Sequence, residues 1–243
     1  MDKVKNGIEL RVFSNYERMS EAAATYVYGK LQQNTNLLLC PAAGNTPTKM
    51  YKRLVKFALK DGLDTTGLRI IKLDEWVGVS GENPASCEYQ LQKQLIDPLN
   101  ITHYCSFNAE NEDTKSEIEK YDTYLSQNGA IDICVLGLGL NGHLGFNEPS
   151  NNFLEPFAHK AELSATSQTH QMISGVDNKP TYGLTLGMRN ILSAKSIILL
   201  VSGIKKKQAF SQLMKAQIDT KFPASFLWLH PNVICFCDEE VYT

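Results

Sequence analysis

A histidine and a glutamate five residues apart, His143 and Glu148, sit in a loop that also holds Gly137, Gly139, Gly142 and Gly145. An imidazole beside a carboxylate is a proton-handling pair, because the carboxylate raises the ring's basicity and fixes its tautomer. The alternative for His143 is a loop histidine that only hydrogen-bonds the backbone. Glycines let such a loop turn sharply and approach a ligand closely. A second candidate is the adjacent pair Asp74 and Glu75. On a strand their side chains point to opposite faces, so one of them at most reaches a given substrate atom. The other reading of that pair is a carboxylate that caps a helix or pairs with a surface lysine. A third is Pro41-Ala-Ala-Gly-Asn-Thr-Pro47, where Gly44, Asn45 and Thr46 precede a helix. Backbone N–H groups and the helix dipole make such a start an anion site. By itself it also fits an ordinary capped turn, and it matches neither the dinucleotide fingerprint nor the P-loop.

These loops need strands to position them, and the pattern supplies strands in alternation with helices. Leu10–Phe13, Leu37–Cys40, Arg69–Leu73, Ile131–Leu136, Ser196–Val201 and Val233–Cys237 read as short buried strands. Met19–Gln32, Thr46–Lys60, Cys87–Leu99, Glu112–Gln127, Gly183–Leu192 and Lys205–Ala216 read as helices. Thr46 is the expected N-cap of its helix, with Pro47 at the first position. Asn151–Asp177 lacks periodicity; it either covers the site or merely connects elements across the surface. The alternation predicts an α/β protein: a single doubly wound, mostly parallel sheet with helices on both faces, Rossmann-like, over one domain spanning 1–243. Ligands of such sheets bind outside the carboxyl ends of the strands, which is where all three loops fall.

Hydrophobic residues make up 43% of the chain, charged residues 21%, and the net charge is −2. That balance gives no general electrostatic case for a nucleic-acid or membrane partner. The first residues lack the apolar core of a signal peptide, and no apolar run nears the ~20 residues of a membrane span. The six cysteines are scattered, with Cys40, Cys134 and Cys235 inside apolar runs. Free buried thiols and a cytoplasmic location are expected. No third ligand stands at metal spacing beside His143, so no metal and no cofactor is expected.

Taken together, the three loops resemble the sugar-phosphate isomerase family that holds glucosamine-6-phosphate deaminase and galactosamine-6-phosphate isomerase. Ala43-Gly-Asn-Thr-Pro47 looks like its phosphate loop, and Leu73-Asp-Glu-Trp76 like its Asp-Glu-aromatic motif. Leu138-Gly-Leu-Asn-Gly-His-Leu-Gly-Phe-Asn-Glu-Pro149 looks like its Gly-His…Phe-Asn-Glu-Pro signature, the most specific of the set. Thr185-Leu-Gly187 and Val201-Ser-Gly203 followed by Lys206 match its later elements. Lys72–Trp76, Cys134–Gly145 and Ala224–His230 lean towards the galactosamine members.

The resemblance implies a small-molecule amino sugar phosphate as substrate. His143 opens the sugar ring with Glu148 as its orienting partner, and Asn141 belongs to the same catalytic group. Asp74 moves the C2 proton to C1, and ammonia is lost. Gly44, Asn45, Thr46 and Lys206 hold the phosphate. Galactosamine 6-phosphate is the expected substrate and tagatose 6-phosphate the product; glucosamine 6-phosphate is the alternative. For C4 discrimination the candidates are Trp76, His170 and His230. Asn141 stands where many glucosamine members carry Asp, so hydrogen bonding or positioning is expected of it. Ser164–Asp177 holds no Arg or Lys, so the arginine that many members place on the phosphate is absent or replaced by His170 or Lys179. A 6-phosphogluconolactonase, which shares the fold, differs in its Gly-His loop. A non-catalytic sugar-phosphate sensor is the rival from another class. The sequence leaves a homo-oligomer open.

Overall fold

In the long strands, successive side chains enter two different apolar layers, which fixes a sheet buried on both faces. In Ser196–Val201, for example, Ile197, Leu199 and Val201 pack with one layer, and Ile198 and Leu200 with the other. The computed structural model describes residues 3–5 and 7–242. Its strands are β1 Lys3–Lys5, β2 Ile8–Phe13, β3 Leu38–Pro41, β4 Arg69–Ile71, β5 Asp74–Trp76, β6 His103–Cys105, β7 Ile133–Gly137, β8 His159–Glu162, β9 Tyr182–Thr185, β10 Ser196–Val201 and β11 Val233–Asp238. Its helices are α1 Tyr16–Gln33, α2 Asn45–Asp61, α3 Cys87–Leu91, α4 Thr114–Asn128, α5 Ala165–Gln168, α6 Met188–Leu192, α7 Lys207–Leu213 and α8 Glu239–Tyr242.

The main sheet runs β1-β2-β11-β10-β7-β3-β4-β6, all parallel except the β1 edge. From β3 the chain steps outward through β4 to β6, then crosses to β7 and steps the other way through β10 to β11. The direction reverses between β3 and β7, whose following loops therefore diverge and leave a crevice. Residues of α1 and α2, among them Met19, Val27, Met50 and Leu54, form one apolar layer. Tyr121 of α4, Ile191 of α6 and Phe210 of α7 lie in the other. This is the doubly wound α/β architecture expected.

Several boundaries differ from the sequence reading. A second, antiparallel sheet of β5-β9-β8 stands beside the crevice; its strands, three or four residues long, are too short to show a period. Gly183–Leu192 is therefore not one helix: its first part is β9, and only Met188–Leu192 is helical. Leu184 is fully buried between strands, so tertiary packing overrides its helical propensity. The N-cap of α2 is Gly44 rather than Thr46. Gly44 has φ +106°, a turn that only glycine makes without strain. Pro47 sits in the first turn, where its missing N–H costs nothing. Cys87–Leu99 starts as α3 but passes into a π-helix over Gln92–Ile96. Lys205–Ala216 is a 3-10 turn followed by α7. All six cysteines are free and buried.

Candidate active site

At the β3/β7 crevice lies a cleft lined from four strand ends. Ala42 to Pro47 follow β3, Leu73 and Asp74 follow β4, Gly137 to His143 follow β7, and Lys206 follows β10. Ser167, His170 and Met172 close it from the chain between β8 and β9. One wall is built to accept an anion. The first turn of the 17-residue α2 faces the cleft and has no side-chain cap. Lys206 enters from across the crevice; its Nζ donates to the carbonyl of Leu138 at 2.5 Å, and burial lowers its pKa. The helix dipole and this cation point at the same space.

The two adjacent carboxylates separate as the period of two requires. Asp74 lines the cleft. Burial pushes its pKa up to about 6, against small lowering effects from the Cys87 thiol and the His143 ring. Glu75 points away and is 3% exposed. It accepts the backbone N–H groups of Cys87 at 2.9 Å and Glu88 at 2.6 Å, capping α3. Its burial raises its pKa to about 7. One carboxylate thus faces the ligand space while its neighbour holds the helix that supplies Cys87 to the same cleft.

The third wall is the Gly-His loop. Gly139 lies under the His143 ring, where a Cβ would come within 2.5 Å of it. Asn147, buried, donates to the carbonyls of Leu144 and Leu186 at 2.8 Å and so pins the following residue. Glu148 then approaches His143, with Oε2 3.6 Å from Nδ1. Glu148 also accepts Asn141 Nδ2 at 2.9 Å, the Ser164 N–H at 3.4 Å and the hydroxyl of Ser167. Burial alone would raise its pKa, but these donors and His143 hold it down at about 2. Asn141 Oδ1 accepts the His143 N–H at 3.2 Å. The paired reading of His143 is the one its surroundings fit.

Of the eight residues singled out as catalytic or phosphate-binding, Gly44, Asn45, Thr46, Asp74, His143 and Lys206 line the cleft. Glu148 and Asn141 stand behind His143. Trp76 and His170 also line it, their rings 5.9 Å apart. His170 Nδ1 accepts the Met172 N–H at 3.2 Å, and burial, then His143 and Lys206, lower its pKa. Two candidates fall elsewhere. His230 is buried on the far side, its Nε2 2.7 Å from the Ala194 carbonyl, and takes no part in the cleft. Lys179 donates to the Ile173 carbonyl instead of entering the cleft. Ser167, Met172 and Cys87 were missed; only the unperiodic character of 151–177 pointed to the first two. Among the described residues no cluster of three or more His, Cys, Asp or Glu is arranged to hold a metal. No helix there is long and apolar enough to cross a membrane.

Fold and cleft define a doubly wound α/β protein with a cleft at its topological switch point. The model of the family described as Glucosamine-6-phosphate isomerases/6-phosphogluconolactonase matches residues 14–235, and the chain belongs to that family. It is 39% identical over 228 residues to "Putative deaminase AgaI" of Escherichia coli (strain K12), covering 93% of this chain and 90% of that protein. It is 34% identical to the glucosamine-6-phosphate deaminase of Clostridium beijerinckii over 96% of this chain and 98% of that one. A solved monomeric glucosamine-6-phosphate deaminase of the NagB superfamily superposes with a TM-score of 0.90 at 29% identity, over 96% of this chain and 98% of its own. A 6-phosphogluconolactonase from Plasmodium vivax shares the fold alone, with a TM-score of 0.77 at 15% identity over 98% of this chain and 91% of its own.

Proposed function

We propose that residues 1–243 act as one domain that catalyses the deaminating isomerisation of galactosamine 6-phosphate to tagatose 6-phosphate and ammonia. The observation that carries this reading is a carboxylate with its pKa raised to about 6 sharing one cleft with a histidine–glutamate pair and a helix N-terminus. A carboxylate near that value is a stronger base than a free aspartate yet still ionised at neutral pH. The phosphate rests on the first turn of α2, at Gly44, Asn45 and Thr46, with Lys206 opposite.

His143, backed by Glu148, takes the proton of the C1 hydroxyl on Nε2 and passes it to the ring oxygen, and the C1–O bond to that oxygen breaks to leave an aldehyde. Asp74 removes the C2 proton while the substrate's ammonium group gives one to the aldehyde oxygen, forming an enolamine. Asp74 returns its proton to C1, leaving an iminium at C2. Water adds to C2, the C2–N bond breaks, and ammonia departs. Asn141 has no proton to exchange and orients its neighbours.

The galactosamine assignment rests on Lys72–Trp76, Cys134–Gly145 and Ala224–His230, and Trp76 and His170 are the cleft residues available to read C4. Glucosamine 6-phosphate, giving fructose 6-phosphate, is the second reading, favoured by the 34% identical deaminase. Ammonia release from the two amino sugar phosphates, measured side by side, decides between them. Higher efficiency on glucosamine 6-phosphate reverses the substrate; ammonia from neither, with hydrolysis of a sugar lactone, returns the lactonase. Binding of a sugar phosphate without turnover returns the sensor.

A further inference from the structure

The corner behind His143 holds a hydroxyl that no step above uses. Ser167 is 1% exposed and lies on α5, whose N-cap Ser164 accepts the Ser167 N–H at 3.2 Å. Its Oγ donates to Glu148 Oε1 and stands 3.4 Å from His143 Nδ1. A serine has one hydroxyl proton and two lone pairs. With the proton directed at Glu148, what Ser167 presents to His143 is a lone pair. The other neighbour of Nδ1, Glu148 Oε2 at 3.6 Å, is a carboxylate oxygen and only accepts. Both groups facing Nδ1 are therefore acceptors, and a neutral ring satisfies them only with its proton on Nδ1.

We infer that Ser167 is a positioning residue, which holds Glu148 by Oε1 so that Oε2 faces the ring. Together the two fix His143 in the tautomer that leaves Nε2 free for substrate. Asn141 completes the arrangement from the other side, with Nδ2 donating to Oε2 and Oδ1 accepting the backbone N–H of His143. The clamp carries a single charge, on Glu148, and is otherwise built from neutral donors. Ser167 comes from the segment between β8 and β9, so folding of that segment onto the cleft sets the state of the histidine. The kinetic part of this inference rests on the deamination proposed above; the tautomer does not.

The test uses the full-length protein labelled with ¹⁵N in its histidines, the His143 signals being those lost in His143→Gln. At a pH where the ring is neutral, the wild type shows Nδ1 protonated and Nε2 bare. Ser167→Ala is expected to give a mixture of tautomers, and Ser167→Thr, which keeps the hydroxyl, the wild-type pattern. With the better amino sugar phosphate, Ser167→Ala should lower kcat about tenfold, a fraction of the ~10²–10⁴ that a general acid–base group contributes. KM should stay put, and Ser167→Thr should recover most of the rate. An unchanged tautomer in Ser167→Ala, or a threonine variant no better than the alanine one, overturns the inference. A wild type that releases no ammonia sinks the proposed reaction, while the ring spectra still decide the role of Ser167.

Discussion

Two carboxylates flank the same cleft and are driven in opposite directions. Asp74, at the start of β5, has its pKa raised from 3.8 to about 6; Glu148, in the loop after β7, has its pKa lowered from 4.5 to about 2. Burial raises both. The difference lies in the donors: Glu148 collects Asn141, Ser164, Ser167 and His143, whereas Asp74 has the thiol of Cys87 and the more distant charge of His143. A carboxylate wrapped in donors is a fixed charge; one left nearly bare is a base. That contrast supports the proposed roles of Asp74 as base and Glu148 as orienter.

The strongest way to break the contrast is to remove the base. Asp74→Asn keeps the shape and is expected to lower turnover by at least ~10²–10⁴, measured as ammonia release; near-normal turnover would exclude Asp74. In the wild type the same group should produce an acid limb, with the rate falling as pH drops through about 6.

Stability sharpens the contrast, because the two shifts carry opposite signs. The raised pKa of Asp74 contributes stability below about 3.8, and this is lost as pH rises through about 6. Its charge therefore costs stability at pH 8. The lowered pKa of Glu148 contributes stability above about 4.5, lost as pH falls towards about 2. Each shift corresponds to about 3 kcal/mol at most. Melting curves at pH 8 should then show Asp74→Asn above the wild type and Glu148→Gln below it. Shifts of the same sign in both would refute the electrostatic account.

Two smaller effects separate binding and framework from both corners. Lys206→Ala removes a charged contact that ground state and transition state share, so KM should rise and kcat hold. A hydrogen bond to a charged group is worth ~1.5–3 kcal/mol, or roughly 10–100-fold in KM; a loss confined to kcat would place Lys206 in the chemistry instead. His230→Asn should cost ~1–3 kcal/mol through the buried Ala194 carbonyl left without its partner. The ratio of efficiencies on the two amino sugar phosphates should not move, and a changed ratio would return His230 to the specificity residues.

The sequence by itself determined the alternation of strands and helices, because long buried strands and amphipathic helices write their periods locally. It also located the loops that carry Gly44, Asp74 and His143, since in a parallel sheet a loop following a strand must emerge at the ligand face. That Asp74 and Glu75 part to opposite sides came from the period of two; which of them faces the cleft came from the fold. Tertiary structure decided the rest. The second sheet is assembled from β5, β8 and β9, each too short to show a period and stable only through pairing between distant segments. Ser167 and His170 lie in a stretch without periodicity and meet His143 and Trp76 only once β8 and β9 have docked. His230 reads in sequence like any other polar histidine; it is excluded from the cleft because it docks on Ala194 at the amino ends of β10 and β11, opposite the strand ends that line the cleft. The opposite shifts of Asp74 and Glu148 were also out of reach, because a pKa is set by burial and by the count of donors, and both are properties of what folds around the group rather than of its neighbours in the chain.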